Sequence, residues 1–182
     1  MAAIVEGIGD DQLDAPTPCP GSSVATLLDH VGGLAQAFRA AAEKDLGPLT
    51  DTAPEPRAAD LAPDWRDQIP RHLAALADAW REPTAWDGMT RAGGADLPGE
   101  VGGLVAIDEL VVHAWDLAIA TGQPYDATDE LVAAATSFAQ SFDDTDRDGS
   151  LFGPIVPVPD DAPPLDRLLG LTGRDPGWRP PS

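Results

Sequence analysis

Residues 108–118 read DELVVHAWDLA, and the way this stretch folds decides the fold of the whole chain. Glu109, His113 and Asp116 stand at i, i+4 and i+7, a spacing that places all three on one side of an α-helix. Leu110, Val111, Val112, Leu117 and Ile119 crowd them with apolar neighbours, so the predicted helix, residues 99–121, is buried around much of its circumference. Gly122 supplies its stop signal. A glutamate in such surroundings is costly unless something pairs with it, and a metal ion would meet that cost.

Upstream of this helix, Ser22 or Ser23 caps a segment, residues 24–44, in which Val24, Leu27, Leu28, Val31, Leu34, Ala35 and Phe38 follow the helical period. His30 lies inside it, next to the paired Gly32 and Gly33, which allow a neighbouring helix or a ligand to come close. Residues 1–21, which run into LDAPTPCPGSS (residues 13–23), read as an irregular approach. GPLTDTAPEPR, residues 47–57, reads as a connecting loop. A second helix is predicted over residues 64–81, with Pro70 either kinking it or marking its first turn. EPTAWDGMTRAGGADLPGE, residues 82–100, reads as another loop.

Beyond residue 122, Asp126 or Thr128 opens a fourth helix over residues 127–144. The remainder is broken by prolines and allows one short helix, PLDRLLGLTG, residues 164–173. No alternation of period 2 and no fixed-length repeat is visible. The expected fold is therefore all-α: a four-helix bundle with long connections and a proline-rich C-terminal tail, forming a single domain over residues 1–182.

Composition narrows the function classes. The chain of 182 residues carries 31 acidic against 11 basic residues, a formal net charge of -20, and Lys44 is its only lysine. Such a surface repels phosphate backbones and anionic lipid, so neither nucleic acid nor membrane is an expected partner. Cys19 is the single cysteine and excludes an internal disulfide. No leader pattern or spanning apolar run is present, so a cytoplasmic protein is expected. There is no G-x-S-x-G, no phosphate-binding loop and no dinucleotide fingerprint: GGADLPGEVGG is rich in glycine but follows no strand. A homodimer is allowed but not required.

Glu109 and His113 can supply two ligands to one ion, because Cβ atoms at that spacing lie about 5–6 Å apart on a helix face. His30, on a different helix, is the natural third, and three ligands with an open position are the usual plan of a catalytic metal site. Imidazole and carboxylate suit Zn, Ni or Fe(II) alike. The E-x-x-x-H spacing alone arises readily by chance. Asp116 reads either as a group that orients a ligand or as an exposed ion-pairing residue, Trp115 as a packing residue and His72 as a boundary residue. Cys19 precedes the first helix, about 10 Å along its axis from His30, and so reads as a buried structural residue away from the site.

Four motifs in order, TPCPG, LLDHV, DELVVHAWDLAIATGQ and FGPIVPVPDDAPPLDRLLGLTGRDP, resemble the metal-binding proteins of the DinB-like superfamily. The similar branch is the N-terminal domain of mycothiol-dependent maleylpyruvate isomerases. The resemblance implies a bundle that binds a divalent metal through His30, Glu109 and His113, with mycothiol as a co-substrate. The chain departs from the family at Ser22, where tryptophan usually follows the CPG turn. The resemblance also does not extend to the second domain those isomerases carry, so a related transferase or isomerase joining a small thiol to a small electrophile is the expected activity. The competing expectations are a metal-binding or sensing module without turnover, and a structural bundle whose triad merely bonds internally.

Overall fold

The computed structural model describes residues 1–143, 147 and 151–181. Its elements in chain order are α1 (Ala2–Glu6), α2 (Val24–Glu43), α3 (Trp65–Arg81), α4 (Pro83–Trp86), β1 (Met89–Ala92), β2 (Ala95–Pro98), α5 (Gly99–Ala120), α6 (Asp129–Ala139) and α7 (Pro164–Leu171). The chain is mostly helical, and the four long predicted helices are α2, α3, α5 and α6.

Local chemistry sets the helix boundaries. The Ser23 hydroxyl accepts a bond from Thr26 N at 3.2 Å, satisfying one of the donors that a helix start leaves open. Lys44 closes α2 in the left-handed region at φ 59. Helix α3 starts at Trp65, so Pro70 lies inside it, where it removes one intrahelical bond without ending the helix. Helix α6 stops at Ala139, short of the predicted end, and residue 144 lies outside the described residues.

Two readings are corrected. Residues 1–21 are not wholly irregular: α1 inserts Ile4 and Val5 into the core, and Ile8 follows them just after its end. The chain is not purely helical either, because β1 and β2 form an antiparallel hairpin in the register Met89↔Pro98 to Ala92↔Ala95. Gly93 (φ 56) and Gly94 (φ 83) make its turn, which needs two consecutive residues with positive φ. Each strand has four residues, too few for a period to show.

Helix α2 packs on α3 and α5, while another side of α5 packs on α6, which in turn packs on α7. Buried apolar residues accordingly form two clusters. One joins Val5, Leu28, Val31, Ile69 and Leu117; the other joins Val111, Val132, Phe138, Phe152 and Leu168. Helix α5 belongs to both, and its residues from Val111 to Ala118 are buried without a break. Its first turns fit under two indoles: a Cβ at Gly103 would lie 2.4 Å from the Trp86 ring. Those rings are pinned by Trp80 Nε1 donating to Phe38 O and Trp86 Nε1 to Trp80 O. The first turns of α5 are thereby seated against α3 and α4, which Trp80 ties to α2.

Candidate metal centre

Helices α2 and α5 bring His30, Glu109 and His113 together. Glu109 Oε2 lies 3.5 Å from His30 Nε2 and 3.0 Å from His113 Nε2, and the two imidazoles meet edge to face with centroids 5.0 Å apart. An ion with bonds of about 2.1 Å in tetrahedral geometry holds its donors about 3.4 Å apart, close to the two distances from Glu109, and the ligand atoms of all three residues lie within 4.8 Å of one another. His30 and Glu109 keep 17% and 15% of their side-chain surface, which leaves the group reachable from outside. A cleft of about 270 Å³ adjoins His30, lined also by Trp65, Ile69, Gln68 and His72. The mixed character of this lining, apolar walls with a few polar ends, suits a small organic molecule.

Asp116 is not exposed. Its side chain is fully buried, and Oδ2 lies 3.0 Å from His113 Nδ1. A carboxylate there accepts the Nδ1–H bond, so that once the ring is neutral its proton stays on Nδ1 and Nε2 can offer its lone pair, the tautomer a metal ligand at Nε2 needs. Arg174 Nη2 donates to the same Oδ2 at 3.2 Å, and its Nη1 donates to Thr172 O at 2.8 Å. The backbone carries Arg174 inward just after α7, where Gly173 at φ 81 turns against Gly153. No local spacing announces a partner 58 residues from Asp116, so the sequence reading missed Arg174. It missed Asp108 for the opposite reason: an aspartate beside a candidate ligand looks solvent-facing, yet this one is 3% exposed.

The protonation pattern follows from these contacts. Burial would raise Glu109, but hydrogen bonds and charge from His113 and His30 overcome it and hold the carboxyl well below its usual range. Burial would lower His113, but hydrogen bonds to Asp116 and Glu109 push it up to about 10. Burial and the neighbouring charge of Glu109 push Asp108 up to about 7, against the opposing pull of His113 and Arg174.

Cys19 requires a further correction. It is half-buried, and its sulfur falls within 4.8 Å of ligand atoms of His113 and Asp116. Distance along α2 from His30 misled, because the TPCPG turn folds back at Gly21 (φ 76) toward α5. Trp115 is buried as a packing residue, and His72 sits at a boundary position on the cleft wall.

Residues 1–118 match the mycothiol maleylpyruvate isomerase N-terminal domain family, a range that takes in TPCPG, His30 and the whole of DELVVHAWDLA. The chain belongs to this family. Two uncharacterized proteins of Mycobacterium tuberculosis are each 35% identical to it over 181 residues, covering 96% of this chain and 91% of their own. Two crystal structures of mycothiol-dependent maleylpyruvate isomerase, one of them a mutant, share its fold with TM-scores of 0.54 and 0.53 at 18% and 20% identity. Each alignment covers 76% of this chain and 61% of the other, so the chain spans about three fifths of the length of those isomerases. Arg174 lies outside the range matched to the family.

Proposed function

We propose that the protein is a divalent-metal-dependent enzyme of low-molecular-weight thiol chemistry, a transferase or isomerase acting on a small electrophile. The observation that carries this reading is the Glu109 carboxylate set between two imidazole nitrogens beside a cleft. Membership of a family named for mycothiol-dependent isomerisation supports a mycothiol-type thiol as co-substrate.

His30 and His113 would act as neutral ligands and Glu109 as an anionic one, with zinc the proposed ion and nickel or iron(II) also suited to these donors. A bound ion of this kind favours thiolate over thiol in its coordination sphere. The chain's own residues do the rest. Asp116 keeps the His113 proton on Nδ1 and its lone pair on Nε2. Glu109 lowers the net charge of the centre. Leu28, Trp65 and Ile69 give the cleft the apolar walls that keep water from a reactive sulfur.

Elemental analysis of protein purified without a histidine tag, beside His113→Ala, tests the reading. Near one ion per chain in the parent and little in the variant is the expected result, followed by turnover in a screen of thiols with electrophiles. Protein that binds no ion even after zinc or nickel is added would overturn it.

A further inference from the structure

His113 has two nitrogens, and each is a corner of a different group of donor atoms. Nε2 faces Glu109 and, beyond it, His30. Nδ1 faces Asp116. Cys19, His113 and Asp116 form a second group whose ligand atoms all lie within 4.8 Å of one another. We propose that Cys19, His113 and Asp116 are a second, sulfur-containing position for a divalent ion, alternative to the first because both need His113.

An unused buried atom supports the assignment independently of the cysteine. Asp116 is fully buried and spends Oδ2 on both His113 and Arg174, while Oδ1 has no hydrogen-bond partner among the described residues. A buried carboxylate oxygen without a donor is costly, so such an atom is suited to accept a cation. The sulfur is held ready by a rigid turn. Ser22 N and Thr17 Oγ1 both donate to Cys19 O, and Thr17 Oγ1 also reaches Ser22 O. Arg174 does not block the position, because it stays on Oδ2 and an ion would take Oδ1. The Asp116 carboxylate offsets the Arg174 guanidinium, and a cysteine bound to the ion would add the negative charge by giving up its proton on coordination. Thiolate among the donors selects zinc, cadmium or cobalt over magnesium or calcium.

The shared imidazole makes the two positions exclude each other. An ion at Nδ1 needs the lone pair there, which sends the ring proton to Nε2, where Glu109 stands 3.0 Å away to accept it. An ion at Nε2 sends the proton to Nδ1, where Asp116 accepts it. One ring can therefore serve either position without changing its own charge.

Cobalt(II), added to full-length protein kept reduced by a phosphine in place of a thiol reagent, tests this. A sulfur-to-cobalt charge-transfer band in the near ultraviolet arises only from thiolate ligation, and Cys19 is the chain's one sulfhydryl. The band is expected in the parent, or in His30→Ala or Glu109→Gln where the competing position is disabled, and it is expected to vanish in Cys19→Ser. No band in the parent or in either competitor-disabled variant, at saturating cobalt, would overturn the proposal. The proposed triad is read separately, as cobalt bound by Cys19→Ser, so either reading can fail without the other.

Discussion

Replacing Asp116 by asparagine keeps the shape of a fully buried side chain and removes only its charge. Arg174, with 9% of its side chain exposed, then keeps a buried guanidinium without its carboxylate. Breaking a buried pair by removing one partner costs about 3–5 kcal/mol. With a urea dependence of about 2 kcal/mol per molar, the unfolding midpoint should fall by about 1.5–2.5 M. The amide also reverses the logic at His113. Its NH₂ group can donate to Nδ1, which moves the ring proton to Nε2 and takes away the lone pair facing Glu109, so affinity for zinc should drop about 10–100-fold. Urea unfolding of Asp116→Asn, Arg174→Met and the double variant separates the pair from general damage. A coupling energy of about 2 kcal/mol is expected, because once Asp116 has lost its charge the second substitution removes a group that was already a liability. Single losses that simply add would refute the claim that Arg174 and Asp116 act as a unit.

Two adjacent pairs of glycines give opposite predictions. Gly103→Ala drives a methyl to 2.4 Å from the Trp86 ring and should destabilise the fold by about 1–3 kcal/mol, whereas Gly33→Ala meets nothing within 4 Å and should stabilise α2 by about 0.5–1 kcal/mol; thermal unfolding of the two variants checks both. The pH dependence of the metal-free protein follows from His113, whose value rises from 6.5 unfolded to about 10 folded. Its contribution is complete below about pH 6.5 and is lost as pH climbs through 10. Asp108, raised to about 7, adds a loss in the same direction, from the ordinary carboxylate range up to about 7. The metal-free protein should therefore melt at a lower temperature at pH 9.5 than at pH 6, and an equal or higher value at pH 9.5 would contradict the site's charge pattern.

What the sequence could show was whatever has a period or a cap. Ser23, Thr128 and the apolar rows of α2 and α5 set the long helices, and the i, i+4 pair Glu109/His113 on one with His30 on the other was enough to suggest their convergence. Short elements escaped. Helix α1 has five residues, less than two turns, and is held by Ile4 and Val5 entering the core, not by propensity. The hairpin is set by the turn at Gly93 and Gly94 and fastened by Arg91, which binds Asp96 at 2.7 Å and Asp51 at 2.8 Å. Cys19 and Arg174 escaped for a different reason. Both reach α5 across long sequence separations, through turns at Gly21 and Gly173 whose positive φ redirects the chain. A helical wheel can place side chains on one element, but it carries no information about which turn will deliver a partner to it.

Along α5 and into the tail, the buried groups alternate in charge: Glu109, His113, Asp116, Arg174. With His113 protonated, the row pairs two cations with two anions, so these buried charges compensate one another. The same row shows what an ion must displace. A metal at His113 needs a neutral ring, so binding removes one proton and brings in two charges, and Glu109 and Asp116 are the anions placed to receive them. Arg174 then limits how far the centre can become negative in the ion's absence, since it occupies one Asp116 oxygen and leaves the other without a partner among the described residues. A centre balanced by a proton when empty and by a cation when filled can stay folded in both states. The proposed ligands would thereby be positioned before an ion arrives, and little binding energy need be spent on ordering them.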